Sequence, residues 1–300
     1  MIRYILFLIV VVVASQVVIA GDAFAQIPSK ATSDTTSVRA DSATLAVLKE
    51  SSAGHIIWHD IKEGAYDGVQ YLTRPLHWKL KEWAIVAAGI GGAVALEYAD
   101  QPVRNVILRN HNKFGDDLSM FGNNFYGDGY ATGLAFLSLY TVGIATDNNQ
   151  LRVMGRHVVT SFAYAGITTT VLKFIIGRNR PFVNQGAFVY HGFTLQNAWN
   201  SMPSGHVTVA AALSETLAAD IDKPWAYVTF YAFDAATIFG RLYSDEHWFS
   251  DTFLAAVIGT AAGYWVSQET DHYDMKTNDP KPTSFLIVPT PTGIGLAYNF

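Results

Sequence analysis

Six apolar segments, each long enough for helix, fill most of residues 83–268 and leave little room for another architecture. They run over residues 83–99, 130–146, 158–177, 206–221, 225–243 and 246–268. Each approaches the roughly 20 residues that span a bilayer. Several carry Gly, Ala, Ser and Thr instead of Leu and Ile, and Gly89, Gly91, Gly92 and Ala93 suit close approach between helices. Hydrophobic residues make up 50% of the 300-residue chain and charged ones only 15%, where an average soluble domain carries roughly 25%. That balance excludes disorder over most of the length. It points to an all-α fold, a six-helix bundle that is membrane-associated or unusually apolar.

The flanks are of different character. Arg3, the apolar run over residues 4–20 and Ala23-Phe24-Ala25 before Gln26 read as a secretory signal over residues 1–25, with an uncleaved membrane anchor as the competing reading. Residues 26–54, rich in Ser, Thr, Ala and Asp, read as a flexible linker with a short helix near 42–50. The helical domain is expected over residues 55–268. Within it, residues 102–120 fit a short amphipathic helix, and 123–129 a turn-rich stop. Residues 269–300 form a tail. There, Ile294, Leu296, Tyr298 and Phe300 alternate with small or polar residues beyond Pro289–Gly293, the signature of a short β-hairpin. The chain has no cysteine, which excludes disulfide frameworks, iron–sulfur clusters and thiolate zinc sites. A formal charge of -5 lacks the basic footprint of a nucleic-acid binder.

Three clusters carry chemistry. Lys173-Phe-Ile-Ile-Gly-Arg-Asn-Arg180-Pro181 closes the third apolar segment with cations, and Pro181 stops the helix. On its own this is what any helix C-terminus does to complement its dipole. Pro203-Ser204-Gly205-His206 precedes the fourth segment. Ser204 is placed to cap that helix, and free backbone N–H groups around Ser204 and Gly205 attract phosphate. The third cluster runs from Arg241 to His247 and Asp251. Four residues apart, Asp251 can accept a hydrogen bond from one ring nitrogen of His247 and leave the other as base, ligand or nucleophile. A single His–Asp pair is more often a surface feature, so the weight lies in the combination. A given four-letter string occurs by chance in roughly one in a thousand chains of this length. With helices of alternating direction, all three clusters fall on one face of the bundle.

In that order and spacing the clusters resemble the motifs of the type-2 phosphatidic acid phosphatase and vanadium haloperoxidase superfamily: Lys, six residues, Arg-Pro; Pro-Ser-Gly-His; and Ser-Arg, five residues, His, three residues, Asp. One position departs, since Gly240 stands where the family has Ser. The resemblance implies a metal-independent phosphatase of the phosphatase branch, without cofactor, acting on phosphomonoesters or diphosphates, with phosphatidate or isoprenyl diphosphate as the lipid-linked substrates. It implies phosphate binding by Lys173, Arg180, Ser204, Gly205 and Arg241. His247 is then the nucleophile that forms a phosphohistidine, Asp251 its orienting group, and His206 the acid and base. The alternatives are a vanadate-dependent haloperoxidase, against which stands the greater length of such enzymes, and a non-enzymatic membrane protein with a degenerate site, against which stand His206, His247 and Asp251.

No His-Glu-x-x-His or dense carboxylate cluster suggests a metal. Arg178 is not assigned a role. His55, His59, His77, His111, His157 and His272 lack partners at useful spacing and read as structural, while His191 is a candidate lining of the substrate entrance. The expected setting is the cell envelope, membrane-associated and multi-pass; the resemblance implies a site on the periplasmic or outer face, whereas six full crossings after a cleaved signal would put it in the cytoplasm.

Overall fold

The computed structural model describes residues 42–268 and two short strands near the C-terminus; for residues 42–52 and the strands the description is of backbone alone. The signal read at 1–25, the linker up to residue 41 and residues 269–284 of the tail lie outside the described residues. The helices are α1 Ser42–Thr73, α2 Leu80–Leu108, α3 Lys113–Phe121, α4 Tyr130–Ala145, α5 Asn149–Ile176, α6 Gly205–Ile221, α7 Pro224–Tyr243 and α8 Phe249–Ser267. A π-helical turn, Gly122–Tyr126, continues α3. Strands β1 Phe285–Thr290 and β2 Gly293–Tyr298 pair antiparallel, with Phe285 opposite Tyr298.

The six apolar segments fall mostly within α2 and α4–α8, and α1 and α3, which overlap the short helices read near 42–50 and within 102–120, bring the described residues to eight α-helices. Helix α1 begins at Ser42, inside the stretch read as linker. Pro102 does not open a new helix. It sits inside α2, which continues to Leu108. Proline costs an interior helix one hydrogen bond. Beyond it, Val103 and Ile107 are buried in the core, and Arg104 is clamped to Asp245, so packing outweighs the lost bond.

Helix α6 is the centre of the bundle, packed on α5, α7 and α8. Its Ala210, Ala211, Ala212 and Ala218 are fully buried. Small side chains let α8 lie almost against its backbone. A Cβ at Gly259 would collide with the Thr208 carbonyl and come within 2.7 Å of the Ala211 Cβ, and one at Gly263 would lie 2.7 Å from the Ala212 carbonyl. The two helices run parallel, with Asp251 beside Ser204 and Gly259 beside Ala211. Their N-termini therefore emerge together. On the other side of α8, Ala93, Val103 and Ile107 of α2 join Ile238, Leu242, Phe249 and Phe253 in the main apolar cluster.

At the far end of the bundle a polar staple fastens α1 to α5. Arg152 pairs with Asp60, and Arg156 with Glu63. Tyr140 of α4 donates to Asp60 at 2.7 Å. His157, read from sequence as lacking a partner, faces Asp220 of α6 at 3.0 Å. Tertiary packing supplied a partner that sequence spacing could not reveal.

Helices α2 and α5 are long and apolar enough to cross a membrane, and only 11% and 22% of their apolar windows are buried. Much of the remainder is exposed, including Ile85, Ile90 and Val94 of α2 and Phe162, Ile167 and Val171 of α5.

The α6–α8 contact is sensitive to added volume. Gly259→Val should destabilise the fold by about 2–3 kcal/mol, the upper range for overpacking a close crossing, read as a lowered denaturation midpoint with an unchanged slope.

Candidate active site

Four helix ends build the site. Helix α5 stops at Gly177, which takes a left-handed φ of 57°. That geometry suits glycine. The chain then doubles back: Asn179 N donates to the Val189 carbonyl at 3.0 Å and His191 N to the Gly177 carbonyl at 2.8 Å. This pairing lays the 177–204 loop across the α5, α6, α7 and α8 termini and brings the three sequence clusters to one place.

At the base of the site sits a buried ionic node. Arg178 has no exposed surface. It donates to Asp251 Oδ1 and Ser250 Oγ at 2.6 Å each and to Asp100 Oδ2 at 2.7 Å. Asp251 Oδ2 also accepts from Ser201 Oγ at 2.5 Å and Trp248 N at 2.8 Å. Asp100 Oδ1 accepts from Ser250 N at 2.8 Å. Burial pushes the Asp251 carboxyl up, but Arg178, His247 and Ser201 outweigh it and hold it down at about 2. Asp251 is thus an ionised, locked carboxylate. The sequence reading left Arg178 without a role and did not pick out Asp100, Ser201 or Ser250; nothing in their spacing marks them.

His247 stands in the loop two residues before α8, not on the helix as expected, because Asp251 takes the Trp248 N–H and α8 begins after it. Its Nδ1 still faces Asp251 Oδ2 at 3.7 Å, an ion-pair distance beyond hydrogen-bond reach. Burial drives the His247 pKa well below the ordinary imidazole value; Asp251 opposes this, and Lys173 and Arg241 add to it. The ring is therefore neutral at physiological pH.

The cations meet around it. Lys173 donates to the Asn200 carbonyl at 2.5 Å, and its chain passes Gly205 at the start of α6. Arg180 pairs with Glu246, and the same carboxylate oxygen lies 3.6 Å from Arg241 Nη2. Burial lowers the Arg241 pKa to about 10; Glu246 raises it and Arg180 lowers it further. Ser204 occupies the N-cap position of α6, but its hydroxyl makes no capping bond. Its N–H donates to the Asp251 carbonyl at 3.2 Å instead. The Nε atoms of Arg180 and Arg241 and the Ser204 hydroxyl are buried with no hydrogen-bond partner.

His206, in the first turn of α6, faces Asp128 at 3.3 Å. Burial, then Arg241, lowers its pKa to about 4 against the pull of Asp128. Arg241 thus acts electrostatically on both histidines. His191 lies stacked on Trp199 with ring centroids 3.9 Å apart. Among the described residues, no group of three or more His, Asp or Glu side chains is placed to hold a metal ion.

The PAP2 superfamily profile matches residues 155–272, a span that holds all three clusters. Over those residues the chain is similar to the PAP2 superfamily. Among solved structures, Aquifex aeolicus LpxE aligns at 15% identity with a TM-score of 0.43, covering 57% of this chain and 96% of that one. No curated protein matches. The departure from the superfamily's Ser-Arg motif has a steric reason. A Cβ at Gly240 would lie 2.8 Å from Asn123 Oδ1 and 3.1 Å from the Ser119 carbonyl. Asn123 fills that space and donates to the Gly240 carbonyl at 3.2 Å.

Removing the guanidinium of the node leaves two buried carboxylates uncompensated. Arg178→Gln should cost about 3–5 kcal/mol, and adding Asp100→Asn should recover part of it, both read by chemical denaturation. The node also sets an acid limit. The Asp251 carboxyl titrates near 2 in the fold and near 3.9 unfolded. Its contribution, about 2–3 kcal/mol, is complete above about pH 4 and is lost as pH falls toward 2. Denaturation midpoints between pH 5 and pH 2 should fall accordingly, and less steeply in Asp251→Asn.

Proposed function

We propose that the chain is a phosphatase of lipid-linked phosphates, hydrolysing phosphomonoesters or diphosphates through a phosphohistidine on His247. The observation that carries this reading is the set of buried, unpartnered donors, Arg180 Nε, Arg241 Nε and Ser204 Oγ, on residues flanking a neutral histidine. Buried donors without acceptors are costly, and a tetrahedral anion supplies several acceptors at once. A phosphomonoester brings about two negative charges. Lys173, Arg180, Arg241, the Ser204 hydroxyl and the N–H groups opening α6 take them up and stabilise charge spreading over the equatorial oxygens during in-line transfer.

His247 attacks phosphorus with the ring nitrogen facing away from Asp251, and the P–O bond to the leaving group breaks. The Nδ1 proton stays toward Asp251, whose locked carboxylate matches the positive charge that develops on the ring. His206 gives its proton to the leaving oxygen, then takes one from the water that hydrolyses the P–N bond and frees His247. In the free protein, burial and Arg241 keep His206 neutral above about pH 4. A dianion beside those guanidinium groups reverses their effect, so substrate itself loads the ring with its proton.

The site mouth supports a lipid-linked substrate. Phe182, Phe188, Phe193 and Leu195 on the 177–204 loop are exposed, and the Arg180 guanidinium lies 6.0 Å from the Phe182 ring. With the outward apolar faces of α2 and α5, they form a surface for a bilayer, with the phosphate head group reaching inward. Membrane association and the outer-face setting belong to this reading.

The test uses phosphatidate in vesicles and a soluble aryl phosphate, each with and without chelator. Both should turn over without added metal. His247→Ala should reduce turnover to background, and His206→Gln should lower it by about 10²–10⁴-fold. With radiolabelled substrate, acid-labile, base-stable label should accumulate on His206→Gln and be missing from His247→Ala. Label on the His247→Ala protein, or turnover abolished by chelator, would overturn the assignment.

A further inference from the structure

The cations assigned to phosphate already hold an anion of the protein's own. Glu246 Oε2 pairs with Arg180 Nη1 and lies 3.6 Å from Arg241 Nη2. One carboxylate oxygen thus sits between the two guanidinium groups proposed to bind substrate, next in sequence to the proposed nucleophile. We propose that Glu246 is a resident competitor for the anion site, displaced when the phosphate enters and returning as it leaves. This inference rests on the phosphate-site reading above and goes beyond it by naming a residue that sets affinity and product release.

The local build allows such exchange. The backbone at and just before Glu246 is anchored. Arg104 holds Asp245 bidentately at 2.6 and 2.7 Å, and Glu246 N donates to the Arg241 carbonyl at 3.2 Å. The side chain itself is the mobile part. It is 33% exposed, whereas Arg180 and Arg241 are 12% and 9% exposed. A carboxylate on a flexible stem at the rim can rotate into water while the two arginines keep their places. The exchange is one anion for another, so the guanidinium pair is never left without a counter-charge, and the unfavourable proximity of Arg180 and Arg241 is relieved in both states. For a hydrolase the consequence falls on the product. Inorganic phosphate keeps every contact with the cations that the transferred group had, and a returning carboxylate opposes its retention.

Two roles for Glu246 make opposite predictions. As a competitor, its removal tightens anion binding. As a brace that merely positions the arginines, its removal weakens it. Inorganic phosphate binding to the full-length protein, measured by calorimetry and as a product-inhibition constant, separates them. Glu246→Gln should bind phosphate about tenfold more tightly, which corresponds to about 1.4 kcal/mol, and Glu246→Ala should move in the same direction. Asp128→Asn removes the same formal charge from the rim, where Asp128 pairs with His206; it should tighten binding less than about threefold, since any such gain is long-range and screened. Unchanged or weaker binding in both Glu246 variants, or equal tightening in Asp128→Asn, overturns the competitor role while leaving the phosphate site standing. Failure of wild type and variants alike to bind phosphate overturns the site and the competitor together. Tighter binding without hydrolysis of any ester keeps the competitor and removes the phosphatase reading.

Discussion

The Arg178 ion pairs hold the site together. A guanidinium with no exposed surface joins Asp100 from α2, Ser250 and Asp251 from α8 and the Ala187 carbonyl of the long loop. Charges are expensive to bury unless each is paired and its remaining donors and acceptors are filled. Here they are filled: Arg178 makes five hydrogen bonds, and the carboxylates take Ser201, Ser250 and Trp248 as well. Such a node tolerates little displacement. It fixes where α2 ends its inward run, where the loop crosses and which way Asp251 points at His247.

The bundle makes that node possible by bringing parallel helices unusually close. Alanine on α6 and glycine on α8 give up side-chain burial in exchange for backbone approach, and the approach delivers two helix N-termini side by side. Ser204 and Asp251 are hydrogen-bonded across that seam. Helix N-termini carry partial positive charge and free N–H groups, so their convergence favours an anion even before any side chain is considered. Lys173, Arg180 and Arg241 add to a field already of the right sign. Glu246 partly offsets it, and Asp128 does so near His206. On the proposed reading the site is balanced between attraction for a dianion and release of one.

The histidines show how environment divides labour between identical side chains. His247 is fully enclosed, its pKa driven far down by burial, with an ionised carboxylate on one ring nitrogen. His206 is partly exposed, held neutral by burial and by guanidinium groups whose effect an incoming anion would cancel. In the proposed reaction the first serves as nucleophile and the second as a group whose proton depends on occupancy. The polar staple of Arg152, Arg156, Asp60 and Glu63 lies at the opposite end of α5 and takes no part in this chemistry. It anchors α1.

By itself the amino-acid sequence determined the helical class, the segments that became α2 and α4–α8, and the three clusters that meet at one end of the bundle. These follow from local rules: apolar runs of helical length, proline and glycine stops, and charged residues at spacings that survive folding. What it did not disclose is whatever depends on contact between distant segments. Asp100, some 78 residues before Arg178, has no local signature of its role. The continuation of α2 through Pro102 needed core packing to offset a local penalty. Gly240 reads as a lost hydroxyl until Asn123, brought over by the π turn, is seen to occupy its space. Glu246 carries no local mark of its place until two arginines converge on it. Local propensity and spacing are written along the chain, but desolvation, steric exclusion and charge pairing exist only between surfaces that the tertiary structure brings together.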